Sequence, residues 1–203
     1  MTAALSSGRA LAWATPVAAE AAALGRSIAF AWVLGPDELG KAMMLALTVR
    51  LVEMASDVGV DRLIVQAPDG NAARLQSNLQ GVMIARGFIT SLLILCLSPV
   101  LAGVFADGPN VAAYAVLAVV PLLRGSAHLD FRRAERHRSY GRMAMVEGGA
   151  TLAMAICVLP AAWLTNDHLA MCAALIAHAA AFTALSHLVA HRRYRVCFDL
   201  SAM

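Results

Sequence analysis

Six apolar stretches, at 10–34, 41–60, 81–106, 111–127, 143–164 and 168–190, run almost end to end through this chain. Each approaches the ~20 residues a helix needs to cross a bilayer. Polar turns separate them, among them Gly35-Pro36-Asp37-Glu38, Pro68-Asp69-Gly70-Asn71, Asp107-Gly108-Pro109-Asn110 and Thr165-Asn166-Asp167. Apolar residues make up 60% of the sequence and charged residues 14%, against roughly 45–50% and 25% in soluble domains. The expected fold is therefore all-α, a polytopic membrane bundle of six transmembrane helices forming a single lobe over 1–203. The fourth stretch is short and reaches bilayer length only if it continues to Ala127, with Arg124 snorkelling to the headgroups.

The arginines orient such a bundle. With six crossings, the amino terminus, the second-to-third and fourth-to-fifth connectors and the carboxyl-terminal tail share one face. That face carries twelve arginines, whereas the opposite one holds only Lys41. The positive-inside rule places the arginine-rich face, with both termini, in the cytoplasm. The stretch 1–9 lacks the basic start and short apolar core of a cleaved signal and is expected to stay attached.

Several function classes drop out. A nucleic-acid groove needs basic residues interleaved with aromatics on a soluble scaffold, and neither is visible. Cys96, Cys157, Cys172 and Cys197 form no C-x-x-C pair, so they read as small apolar filler rather than metal ligands, and no cofactor signature is expected. A membrane serine protease lacks its glycine-rich serine motif, since Gly125-Ser126 lies in a basic connector. His178 reads as a hydrogen-bonded or packed helix histidine, and Trp13, Trp32 and Trp163 as interface anchors.

The charges inside the apolar stretches carry more information. On a helix over 43–60, at about 100° per residue, Glu53 falls about 60° and Asp57 about 20° from Arg50, so all three share one face. Each charge at mid-bilayer costs roughly 2.5–3.5 kcal/mol on insertion scales, so these side chains are expected to face a bundle interior or a wet cavity. Glu20 and Arg26 on the first stretch, Arg86 on the third and Glu147 on the fifth extend the set. One reading is that these groups pair and fix helix packing. The other is a polar cavity in which arginines meet an anionic substrate and carboxylates exchange protons or sodium. The planar fork of arginine suits phosphate. The basic connector with Arg132, Arg133, Arg136, Arg138 and Arg142 has two readings of its own, positive-inside retention and capture of lipid phosphates at the cytoplasmic face.

Two families share motifs with the chain. Asp69-Gly70-Asn71-Ala72-Ala73-Arg74 resembles the D-G-x-x-A-R core of membrane CDP-alcohol phosphatidyltransferases. Gln66 stands where that family has a metal-binding aspartate, however, and no Asp occurs between Asn71 and Asp107. A hard divalent cation would have too few oxygen ligands.

The broader resemblance is to the polysaccharide-biosynthesis flippases, the Wzx-type members of the multidrug/oligosaccharidyl-lipid/polysaccharide exporter superfamily. It is carried by Leu34-Gly35-Pro36-Asp37-Glu38-Leu39-Gly40, by Asp57-Val58-Gly59-Val60 with Leu63-Ile64-Val65-Gln66, by Pro121-Leu122-Leu123-Arg124-Gly125, and by Asp130-Phe131-Arg132-Arg133 ahead of Glu147. Leu39 stands at an aromatic position of the family. The resemblance covers about 11–147 and the amino-terminal one of the two six-helix lobes such flippases carry. It implies a non-enzymatic transporter of an isoprenoid-diphosphate-linked glycan, with Arg26, Arg50 and Arg86 as candidate phosphate contacts and Glu53 and Asp57 as candidate ion-coupling carboxylates. A second lobe, from a copy of this chain or another one, would be needed as partner. The alternative is a non-transporting membrane scaffold or inactive fragment of an exopolysaccharide cluster.

Overall fold

The computed structural model describes the backbone of residues 2–104 and 110–198. Within the first 29 residues it describes only some side chains, and Arg26 is not among them, so that candidate lies outside the described residues. Every described element is an α-helix: α1 (Thr2–Ala55), α2 (Val60–Gln66), α3 (Ala73–Val104), α4 (Val111–Val116), α5 (Val119–Gly125), α6 (Asp130–Arg136), α7 (Gly141–Thr165) and α8 (Ala170–Leu188). The third, fifth and sixth apolar stretches thus match α3, α7 and α8, although α3 starts eight residues before the expected 81.

α1 joins the first two stretches and is broken only at Gly35, whose φ of 81° and ψ of 173° lie where only glycine rests without strain. The second arm ends at Ala55, so Asp57 lies beyond the helix, contrary to the expected helix over 43–60. The physical reason is local. Asp57 Oδ1 accepts the Gly59 N–H at 3.1 Å and offers the backbone a turn instead of another helical residue, and Gly59 then takes a left-handed φ of 69°.

The fourth stretch is not one helix. Pro121 has no N–H for the carbonyl of Leu117, which instead accepts the Val120 N–H at 3.0 Å. The chain tightens there between α4 and α5, and Ser91 of α3 donates to the carbonyl of buried Ala118 at 2.7 Å. Another carbonyl of the same stretch, that of Leu123, accepts Thr183 of α8 at 2.7 Å.

By length and hydropathy α3, α7 and α8 can each cross a membrane. The segment Val111–Gly125 with Asp130–Arg136, bent by 54°, makes a fourth, so by this measure three to four of the six expected crossings stand out among the described residues. The second arm of α1 carries Asp37, Glu38, Lys41, Arg50 and Glu53, and this charge keeps it from standing out by hydropathy alone. Residue size reinforces the membrane reading. Ala102, Ala150, Ala162, Ala170, Ala174 and Ala179 are buried, while Phe88, Ile89, Leu92, Leu152 and Ile156 are exposed. Small residues inside and large apolar ones outside is how helices pack when the surroundings are acyl chains.

Side-chain contacts distinguish two ends of the bundle. At one, His168 pairs through Nδ1 with Glu38 at 2.6 Å and with Asp167, and its Nε2 meets Asn110 Nδ2 at 3.1 Å. At the other, buried Asp130 receives Arg133 Nε at 2.7 Å, Arg142 Nη1 at 3.3 Å and the His191 N–H at 2.9 Å, and Arg133 also reaches Asn71 at 3.1 Å. The second arm of α1, α3, α4–α5, α7 and α8 each run between these two ends. α7 lies along α8, α1 against α7, and α3 against α5.

Candidate functional site

A cavity of about 440 Å³ opens among these elements, lined by Arg50, Glu53, Asp57, Asp61, Arg86, Arg124, Arg132, Glu147, His178 and Phe182, together with several apolar side chains. It brings together four candidates named from the sequence, Arg50, Arg86, Glu53 and Asp57. They come from three places in the chain: the last turns of α1, the Asp57 turn, and the fourth turn of α3.

Most of its charges are paired across elements. Arg124 Nη1, at the end of α5, donates to Glu53 Oε2 at 2.8 Å, and Arg124 Nη2 meets His178 Nδ1 of α8 at 3.2 Å. Its guanidinium also sits 5.8 Å from the Phe182 ring centroid. Arg124 therefore turns inward and does not snorkel to the headgroups as its position suggested. The apolar neighbours on either side of it hide this in the sequence, because an arginine at the end of a span looks the same in either orientation.

Arg132 also turns toward the cavity. It belongs to the basic connector, yet it reaches Glu147 of α7 at 3.1 Å, Asp61 of α2 at 3.4 Å and Glu135 at 3.4 Å, with its guanidinium over Phe131. Its neighbours are engaged too. Arg133 and Arg142 hold Asp130, while Arg136 donates to the carbonyls of Val65, Ala67 and Pro68 and so closes the end of α2. Four of the five connector arginines singled out from the sequence thus tie the arginine-rich end of the bundle together, while Arg138 is exposed.

Arg86 Nη1 approaches Asp57 Oδ1 at 3.5 Å, a loose pair on an exposed carboxylate. Arg50 differs from the rest, since no hydrogen bond or ion pair among the described residues engages it. Glu53 Oε1 and Arg124 Nε are buried without a hydrogen-bond partner. Orphaned polar atoms of this kind are costly, and a polar occupant of the cavity would satisfy them. Four arginines face four carboxylates here, so the lining is close to neutral overall. An anion entering it must displace a carboxylate from its arginine or arrive with protons that neutralise one.

Glu38, Asp167 and His168 present ligand atoms within 4.8 Å of one another, the one described grouping with the composition of a metal site. Its donors and acceptors already serve one another. The His168 N–H donates to Glu38 at 3.1 Å, and Lys41 holds the other Glu38 oxygen at 2.7 Å. The Lys41 ammonium first, and then His168, hold the Glu38 carboxyl down to about 2. This is the chemistry of a latch between the start of the second arm of α1 and the turn before α8. The Asp69-Gly70 turn is likewise structural, because a Cβ at Gly70 would meet the Ile64 carbonyl and the Arg136 guanidinium.

In comparison with known proteins, the sequence profile of a family described as "Polysaccharide biosynthesis protein" matches residues 29–203, which takes in the whole cavity. No curated protein and no solved structure gives a significant match.

Proposed function

This chain belongs to the polysaccharide biosynthesis protein family, and from that premise we propose that it is one lobe of a flippase that moves an isoprenoid-diphosphate-linked oligosaccharide across the inner membrane. The observation that carries the reading is the cavity, in which Arg50 has no partner among the described residues and lies beside three arginines held by exchangeable partners. A diphosphate can take Arg50 directly through a bidentate contact. It can then draw Arg86 from its loose 3.5 Å pair with Asp57. Asp57 and Glu53 would take up protons or sodium as their arginines leave, which couples anion capture to cation uptake. No bond in the substrate is made or broken, so the role is transport rather than catalysis.

We read six crossings: α3, α7, α8, the α4–α5 segment and the two arms of α1 on either side of Gly35. The meeting of Glu38, Asn110 and His168 at one end and of Asn71, Asp130 and His191 at the other supports this count. It puts the arginine-rich end in the cytoplasm. A second lobe, from another copy, a separate chain or further sequence, would supply the facing wall of the cavity for alternating access.

The test is translocation of a polyprenyl-diphosphate glycan in proteoliposomes containing both lobes. Arg50→Ala with Arg86→Ala is expected to lower the rate by tenfold or more. Translocation at the parental rate in that double variant would remove the cavity from the mechanism. Failure of the parental protein to translocate in any oligomeric state would favour the scaffold reading.

A further inference from the structure

Beyond the cavity, the tail after α8 forms a second basic hollow. The tail runs back along the first turns of α3. The Cys197 N–H donates to the Ser77 carbonyl at 3.0 Å, and Gln80 Nε2 reaches the Tyr194 hydroxyl at 3.2 Å. Arg192 Nη1 donates to the Asn71 carbonyl at 3.0 Å and to Gln76 Oε1 at 3.2 Å. The absent side chain of Gly81 makes the docking possible, since a Cβ there would strike the Cys197 carbonyl. Between strap and helix lies a hollow of about 330 Å³ whose lining includes Gln76, Ser77, His128, Arg192, Arg193 and Arg195.

Among the described residues no carboxylate lines this hollow. His128 is neutral by its bonding, because Nδ1 accepts the Asp130 N–H at 3.0 Å while Nε2 donates to the Arg192 carbonyl at 3.1 Å. The charge is therefore that of three guanidiniums, and the neutral oxygens holding Arg192 leave its charge uncompensated. The first turn of α3, Ala73 to Gln76, adds the positive end of a 32-residue helix. The central cavity balances its arginines with carboxylates, whereas this hollow does not. Tyr194, Val196 and Phe198 on the same strap are exposed, Phe198 by 68%. Aromatic and aliphatic side chains alternating with arginines, where two apolar helices end, suit the headgroup layer of a bilayer.

We propose that the strap 191–198 and the first turns of α3 form a phosphate-ester site that holds the headgroup of an anionic lipid of the cytoplasmic leaflet. Arginine forks match the phosphate oxygens, and the apolar side chains of the strap lie beside the acyl chains. The site shares no residue with the central cavity, and only its assignment to the cytoplasmic leaflet rests on the orientation proposed above.

Native mass spectrometry of the full chain, delipidated and titrated with phosphatidylglycerol, phosphatidylcholine or inorganic phosphate, tests it. Arg193→Ala with Arg195→Ala removes two exposed side chains that no described residue engages, and unchanged thermal unfolding checks that the fold survives. Phosphatidylglycerol binding is expected to weaken about tenfold or more in that variant, with phosphatidylcholine binding unchanged. Arg50→Ala, in the central cavity, is expected to leave phosphatidylglycerol binding as it was. Equal phosphatidylglycerol affinity with and without the two strap arginines overturns the proposal, as does a loss that follows Arg50 instead. Arginine-dependent binding of inorganic phosphate with no preference between the two lipids would make the ligand a soluble anion and overturn the lipid assignment.

Discussion

Arg124 and Glu53, 71 residues apart in sequence, meet at 2.8 Å across the cavity and join the end of α5 to the second arm of α1. Neither element contacts the other extensively, so this pair is a principal tie between them. Taking away one partner strands the other charge in poorly hydrated surroundings. Arg124 is 37% exposed, which reduces the penalty below that of a sealed pair. Glu53→Ala and Arg124→Ala are each expected to destabilise the protein by about 1–3 kcal/mol. The double variant should lose less than their sum, with a coupling of about 0.5–3 kcal/mol. Thermal unfolding in detergent measures it, and strict additivity would show that the pair does not hold the elements together.

Arg50 should behave in the opposite way. It lines the same cavity but no described residue engages it, so Arg50→Ala is expected to change stability by less than about 0.5 kcal/mol. Binding of a short-chain polyprenyl diphosphate should weaken by at least tenfold. A variant that unfolds early, or binds the diphosphate as the parent does, would make Arg50 a structural residue or a bystander.

The latch between Glu38 of α1 and His168 sets an acid dependence. Glu38 drops from an ordinary 4.5 to about 2 in the folded protein, first through Lys41 and then through His168. A carboxylate lowered by folding adds stability above its unfolded value and loses it as pH falls toward the folded one. The gap in unfolding temperature between the parent and Glu38→Gln should be full at pH 7 and shrink between about pH 4.5 and 2. A gap that stayed constant over that range would mean that the Glu38 charge adds no stability in this latch.

Which parts of this arrangement were legible beforehand follows from the physics of each signal. Hydropathy found α3, α7 and α8 within a few residues at most ends, because long apolar runs have few alternatives in lipid. Spacing put Arg50 and Glu53 on one face, and that face does line the cavity. Asp57 reached the same cavity by a different route, since the turn with Gly59 ends the helix first. Arg124 was expected to snorkel outward and Arg132 was read only as part of the basic connector, because a sequence reports that an arginine lies near a span end but not the direction of its guanidinium. That direction depends on Glu53, Asp61 and Glu147, which approach from other elements. The break between α4 and α5 was foreshadowed by Pro121, but the hydroxyl of Ser91 that makes it tolerable is a long-range contact.

The crossing of α3 and α5 gives the last expectation. A Cβ on Gly87 would lie 2.6 Å from the Pro121 carbonyl oxygen and 3.0 Å from Gly125 Cα. One on Gly125 would lie 2.7 Å from the Met83 carbonyl oxygen and 2.9 Å from Gly87 Cα. These obstacles are backbone, which cannot rotate aside, so the helices must separate. Gly87→Ala and Gly125→Ala are each expected to cost about 1–3 kcal/mol. Gly148→Ala on α7, where a Cβ meets nothing within 4 Å, should instead be neutral or gain up to about 1 kcal/mol from better helix propensity. Because α5 carries Arg124, moving it away from α3 also shifts that guanidinium relative to Glu53. The Arg124–Glu53 coupling measured in the Gly87→Ala background should therefore shrink. If the coupling survives intact while stability falls, the crossing supports the bundle without positioning the cavity.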